Sequence, residues 1–232
     1  MKLKNTKLYL VGGSCRDMIL KKEPKDKDYV AITSLSFEEL CNEVKKVGII
    51  FQAKKEFLTI RCKLNGEVID IALPRKEDGY DDNRHPKNVE RVDTLKEDAS
   101  RRDFTMNTLY WNEEEGFIDN FKGKESIANK LIKCVGEPNK RFEEDYLRML
   151  RAVRFSCQLG FAIDGWTYAS MKMLAFHLVE VQTDRIRQEL NKSLSADAKK
   201  TMWYLNDLKL FRIIKKKGLT FECTSKVIKN GN

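Results

Sequence analysis

Two aspartates one residue apart, Asp26-Lys27-Asp28, stand at the entrance to a β-prone run from Asp28 to Thr33. In a strand, residues i and i+2 point to the same face, so both carboxylates can converge on one point. Hard divalent cations such as Mg²⁺ take oxygen ligands. Phosphoryl transfer commonly uses two such ions, to activate the attacking oxygen and to stabilise the leaving one. Asp70, on a second β-prone run from Glu67 to Leu73, can supply a third carboxylate. Alone, an Asp-x-Asp in a lysine-rich stretch is usually solvated charge. Upstream, Gly12-Gly13-Ser14 changes that weighting. Glycines let backbone amides approach a ligand closely, and a following helix N-terminus attracts phosphate. A Gly-Gly pair also makes a plain strand–helix corner. Here the turn and the carboxylates fall within one strand–helix–strand unit, an arrangement that would suit a combined triphosphate–metal site.

Arginines recur further along. Arg101-Arg102-Asp103 follows a charged stretch and precedes the apolar run Phe104 to Trp111; by itself it reads as a charged strand edge. Arg148, Arg151 and Arg154 recur every three residues on a segment, Arg141 to Leu159, that reads as one helix. Its apolar stripe is Phe142, Tyr146, Met149, Leu150, Val153 and Cys157, and Gly160 ends it. Glu144 and Asp145 lie four and three residues before Arg148, so intrahelical ion pairs are what periodicity alone favours. His85 and His177 are the only histidines, which leaves little for histidine-based catalysis. His177 lies in an apolar helix and reads as packed.

The elements that must hold these residues begin with a strand from Lys7 to Val11. Ser14 is read as the N-cap of the next helix, with Asp17 three residues on. Ser36-Phe37-Glu38-Glu39 is a capping box opening a helix that stops at Gly48. Phe57 to Leu64 and Glu67 to Leu73 read as strands joined by Asn65-Gly66, a strong hairpin signal. Residues 76 to 100 are highly charged without clear period and read as a long loop, of a length that is usually functional or disordered. From Glu125 the pattern is helical, with further helices over Met171 to Leu178 and Thr183 to Leu194.

At 232 residues and 41% hydrophobic content, the chain can bury a real core, and no apolar run approaches a membrane span. The N-terminal apolar stretch is too short for a signal peptide. Cys15, Cys41, Cys62, Cys134, Cys157 and Cys223 show no C-x-x-C pairing, which fits reduced thiols in a cytoplasmic protein. The net charge is +9, and residues 192–232 carry ten Lys and Arg against three carboxylates, so +7 of it lies there. Lys199-Lys200 and Lys215-Lys216-Lys217 are its dense clusters. Such a segment suits a phosphate-rich partner or simply aids solubility, and charge alone does not separate these.

Gly12-Gly13-Ser14-Cys15-Arg16-Asp17 followed by Asp26-Lys27-Asp28 resembles the first motif of the class II tRNA nucleotidyltransferases, the CCA-adding enzymes. That family includes bacterial poly(A) polymerases and belongs to the DNA polymerase β superfamily. Further matches follow in order: Arg101 to Asn107, Asp119 with Gly123, Glu144 to Phe155 and, more weakly, Thr183 to Leu190. The resemblance spans residues 8 to 195. It implies an α+β fold: a polymerase-β-like head with a small mixed sheet over residues 1–120, a helical neck over 121–195, and a short basic body over 196–232. It implies that Asp26 and Asp28 hold two Mg²⁺ ions, and Asp70, from its place on the nearby hairpin strand, is expected as a third catalytic carboxylate. Gly13, Arg16 and Arg102 would bind the nucleotide, Arg102 through its phosphates, and Asp103 would take the ribose. Asp145 and Arg148 would read the base edge in place of a template, and Arg151 and Arg154 would hold the triphosphate.

The expected activity is addition of CMP and AMP from CTP and ATP to the 3′ end of tRNA. A poly(A) or A-adding activity is the near alternative, and a non-catalytic RNA-binding protein the distant one. The sequence departs from the family in three places. Arg84-His85-Pro86 replaces Arg-Arg-Pro in a loop, Lys76 to Asp98, whose retained length favours CCA or A addition over C alone. Thr183-Asp184-Arg185 replaces Ser-x-Glu-Arg. The chain also stops at Asn232, where family members continue through a body and tail. Either the basic segment with Lys199, Lys200, Lys215, Lys216 and Lys217 replaces the missing tRNA contacts, a homodimer or another partner supplies them, or the RNA substrate is smaller.

Overall fold

The computed structural model describes residues 3–24, 27–80 and 86–219, without the side chains of 78–80, 86 and 87. Asp26, Arg84, His85 and Cys223 therefore lie outside the described residues. The chain opens with β1 (Thr6–Val11), α1 (Gly13–Ile19), β2 (Asp28–Thr33), α2 (Phe37–Val47) and β3 (Gly48–Lys54). β4 (Thr59–Leu64), β5 (Glu67–Ala72), β6 (Arg75–Tyr80), β7 (Pro86–Arg91) and α3 (Leu95–Ser100) follow. Next come β8 (Tyr110–Asn112), β9 (Gly116–Ile118), α4 (Gly123–Ala128), β10 (Leu131–Ile132) and α5 (Pro138–Glu144). The remainder is α6 (Leu147–Leu159), β11 (Ala162–Ile163), α7 (Gly165–Leu174), α8 (Thr183–Ala196), α9 (Ala198–Asp207) and α10 (Phe211–Lys216). The result is the expected α+β architecture, with a sheet followed by helices.

Seven strands form one mixed sheet in the order β3-β4-β5-β2-β1-β8-β9. β2 is antiparallel to β1 and parallel to β5. Period-two burial along β4, with Ile60, Cys62 and Leu64 inward, packs that end of the sheet on Phe37, Leu40 and Val44 of α2. On the opposite face Tyr9, Val11, Val30 and Tyr110 are covered by Leu95 and Ala99 of α3. The largest core runs from Leu10 and Cys15 through Phe104 and Met106 into α6 and α8–α10, so the helices and the sheet share one interior. The five described cysteines are all buried free thiols. Among the described residues no helix is long and apolar enough to cross a membrane.

The capping box at Ser36 forms both of its reciprocal bonds, and Asn65 and Gly66, both at positive φ, turn β4 back along β5. Other expectations are corrected. Gly12, not Ser14, is the N-cap of α1, because its backbone takes φ 70° and ψ −127°. The stretch read as a long loop contains the hairpin β6–β7, in which Lys76 pairs with Glu90, and the helix α3. The helix read over Arg141–Leu159 is two helices, broken where Asp145 turns extended. The expected helix over Met171–Leu178 is the end of α7 passing into a 3₁₀ turn, Ala175–Glu180.

Candidate active site

The parallel pairing of β2 with β5 sets Asp28 in register with Asp70, and the Asp70 amide donates to the Lys27 carbonyl at 3.3 Å. Paired residues share a sheet face, so the carboxylates of Asp28 and Asp70 stand side by side. Opposite Asp70 on β4 is Arg61, whose Nη1 lies 3.7 Å from the Asp70 carboxylate. Among the described residues no group of three His, Cys, Asp or Glu could hold a metal ion. Two hard oxygen donors on one face nevertheless suit Mg²⁺.

β1 delivers the glycine turn next to this pair. A Cβ on Gly12 would stand 3.5 Å from Arg102 Nη1, and one on Gly13 would stand 3.5 Å from Arg16 Nη2. The turn thus packs directly against two guanidinium groups. Arg16 is almost fully buried: its Nε and Nη2 donate to Asp17 at 2.9 and 2.8 Å, and Nη1 donates to Asn107 at 3.0 Å.

Asp98, at the end of α3, is fully buried and organises the adjacent pair. It accepts from Arg101 at 2.8 and 3.0 Å, from Arg102 at 2.7 Å and from the Tyr110 hydroxyl at 2.7 Å. Burial alone would raise its pKa, but the charges of Arg102 and Arg101 hold it well below the usual carboxylate range. Burial would lower Arg102, yet Asp98 keeps it raised, so this guanidinium stays charged while desolvated.

Asp103 ties the sheet to α6. Its Oδ2 accepts from Arg151 Nε and Nη2 at 2.9 and 2.7 Å, and its Oδ1 accepts from the Phe104 amide and Asn107. Burial works to raise its pKa and is outweighed by Arg151 and Asn107, which hold it at about 2. Asn107 bridges onward to Arg16, so α1, the Thr105–Asn107 turn and α6 are joined in one polar chain. Above it lies the Phe155 ring, with the guanidinium carbons of Arg16, Arg151 and Arg154 at 5.3, 5.5 and 4.1 Å from its centroid.

The α5–α6 break presents Asp145 outside both helices. One of its oxygens accepts from the Leu147 amide at 3.0 Å and the other from Arg185 of α8 at 2.7 Å. Arg148 does form the i,i+4 pair with Glu144, at 2.5 Å, and donates to the carbonyls of Arg141 and Arg101. Arg154 pairs with the buried Glu189, also on α8. α8 therefore braces two of the expected nucleotide-binding residues, which sequence reasoning did not foresee. Arg185 and Glu189 are one turn apart and lie in the weakly matching segment, the one trace available beforehand. Asn107 and Phe155 close two of the matched segments, whereas nothing comparable marked Asp98 as a hub.

The basic segment lies apart from these groups in sequence. Lys199, Lys215 and Lys216 are exposed. Lys200 donates to the Ser156 carbonyl near the end of α6 at 3.0 Å, and Lys217 to the Val181 carbonyl at 2.7 Å.

Residues 8–133 match the family described as the poly A polymerase head domain. Residues 160–219 match the one described as "Probable RNA and SrmB- binding site of polymerase A". The CCA-adding enzyme of Limosilactobacillus reuteri is 41% identical over 187 residues, which is 80% of this chain and 45% of that protein. The structure of the Bacillus stearothermophilus CCA-adding enzyme in complex with CTP is similar at a TM-score of 0.76 and 30% identity, over 87% of this chain and 48% of that one. The Thermotoga maritima CCA-adding enzyme complexed with tRNA gives 0.74 at 26% identity, over 95% of this chain and 50% of that one. The chain thus spans about half the length of the curated relatives it matches.

Proposed function

The chain belongs to the poly A polymerase head-domain family, and from that premise we propose that it adds CMP and AMP from CTP and ATP to the 3′ end of tRNA. The observation that carries this reading is the register of Asp28 with Asp70 beside the Gly12 turn. Asp28 and Asp70, with Asp26, would hold Mg²⁺; when bound, the ions assist loss of the 3′-hydroxyl proton and neutralise charge on the phosphates. Arg102, Arg16, Arg151 and Arg154 surround the place where a triphosphate would lie, and a planar guanidinium suits phosphate oxygens. Fixed by Asp98, Asp103 and Phe155, they need little reorganisation as pyrophosphate leaves. Asp145 retains acceptor capacity beyond its two present bonds, so together with Arg148 it can offer acceptors and donors to a base edge.

The test is to supply tRNA lacking its 3′ end with each labelled nucleoside triphosphate and sequence the products. Wild type should restore CCA, and Asp28→Ala should lose at least about a hundredfold in rate with its melting curve intact. Near-normal incorporation by Asp28→Ala would overturn the reading. The family description over residues 8–133 favours one second reading, homopolymeric A addition. It predicts runs of A in place of CCA in the same products.

A further inference from the structure

The face that carries Asp28 and Asp70 is covered by α3 only over β1, β2 and β8. Over β3, β4 and β5 it presents exposed side chains, because α2 packs on the other face. The ladder fixes what lies there: Arg61 opposite Asp70, Lys63 opposite Val68, and Ile49 opposite Lys63. Residues directly opposite share a face, so this strip runs from the carboxylates through a guanidinium and an ammonium to an apolar margin. That margin is unusually bare. Ile49 is 62% exposed, Val68 50%, and Phe51, which sits at the bulge of the outermost strand β3, 56%.

We propose that this strip is the track on which the single-stranded 3′ end of the RNA lies, leading its terminal hydroxyl to Asp28 and Asp70. The inference rests on the nucleotide-adding reading above. Two arguments select RNA as the occupant. Arg61 and Lys63, two residues apart on β4, are about 7 Å apart along the strand, comparable to one nucleotide step, and their charge complements phosphates. An exposed aromatic beside a cationic track is also how single strands are held without sequence preference, with bases stacked on the ring. The strip is continuous with the carboxylates, so a strand held there would end where the chemistry is.

The test uses the full chain and a labelled tRNA lacking its 3′ end, with binding titrated at several salt concentrations and nucleotide addition measured separately. Arg61→Glu with Lys63→Glu should weaken RNA binding at least about tenfold and flatten the salt slope by roughly two, one for each lost phosphate contact. Lys63→Glu alone, which does not touch Asp70, should leave the KM for CTP within about twofold. Phe51→Ala should weaken binding severalfold at an unchanged salt slope, since stacking releases no counterions. Lys45→Glu with Lys46→Glu, the same charge change on α2, should leave binding close to wild type. All these positions are exposed, and melting curves will show that the variants fold. Coincident titrations of wild type and the Arg61/Lys63 variant, or equal loss in the Lys45/Lys46 control, would overturn the track. A wild type that adds no nucleotide would sink the catalytic reading instead, while the binding titration, which needs no catalysis, would still judge the strip.

Discussion

Asp98 carries its charge without access to water because Arg101, Arg102 and the Tyr110 hydroxyl replace the solvent. Removing one partner from such a buried group leaves the others unpaired. Asp98→Asn should therefore cost on the order of 3 to 5 kcal/mol and lower the melting temperature by about 10 °C, readable by calorimetry. Acid should act the same way. The folded pKa of Asp103, about 2, lies below the roughly 3.9 of an unfolded aspartate, and Asp98 is depressed in the same direction. Groups with depressed pKa values contribute stability in full above the unfolded value and lose it as pH falls through the folded one. Urea midpoints should thus fall between about pH 4 and pH 2, and Asp103→Asn should be less acid-dependent than wild type. Equal pH dependence in the two would contradict this. The arginines of this network were visible in the sequence as a motif, but Asp98 was one acid in the run Lys96-Glu97-Asp98. Only the fold shows that it alone of these is fully buried.

Elements were legible where local chemistry decides them. The Ser36 box and the Asn65-Gly66 turn are specified by a few adjacent residues, and both form as read. The break between α5 and α6 was hidden because the apolar stripe continues across it, with Phe142, Tyr146 and Met149 all buried. Burial kept one period while the backbone did not. The β6–β7 hairpin was hidden for the opposite reason: its strands are rich in charge, with Lys76 opposite Glu90 and Asp78 opposite Asn88, and show no apolar alternation. The break matters because it frees Asp145 to be held by α8. Asp145→Ala should reduce discrimination of C and A more than affinity for the triphosphate. Arg185→Ala should reproduce that change more weakly, although Arg185 acts through Asp145. Glu189→Gln should instead raise KM for all four nucleotides alike, by loosening Arg154. Single-nucleotide incorporation with each triphosphate separates the two patterns. An Arg185→Ala enzyme that is less heat-stable but equally selective would rule out the bracing role.

For the whole molecule, charge is distributed more tellingly than its total suggests. The C-terminal segment holds most of the net +9, but Lys200 and Lys217 are committed to backbone carbonyls. The cations left to meet phosphate there include Lys199, Lys215 and Lys216. Reversing these three to Glu should raise the KM for tRNA and flatten its salt dependence, with the KM for CTP almost unchanged. Identical salt titrations would assign the segment to solubility alone. The sequence marked these clusters because charge runs are visible without a fold, whereas which lysines point inward depends on where α6 and Val181 come to lie. The pairing of β2 with β5 has a kinetic consequence too. Asp28 and Asp70 meet only after the chain has closed a loop through α2, β3 and β4, a non-local contact that comes late because loop closure precedes any gain from pairing. During refolding from urea, helical circular dichroism from α6 to α10 should therefore return before nucleotide addition does. The lag between them would time the moment at which two distant carboxylates become one site.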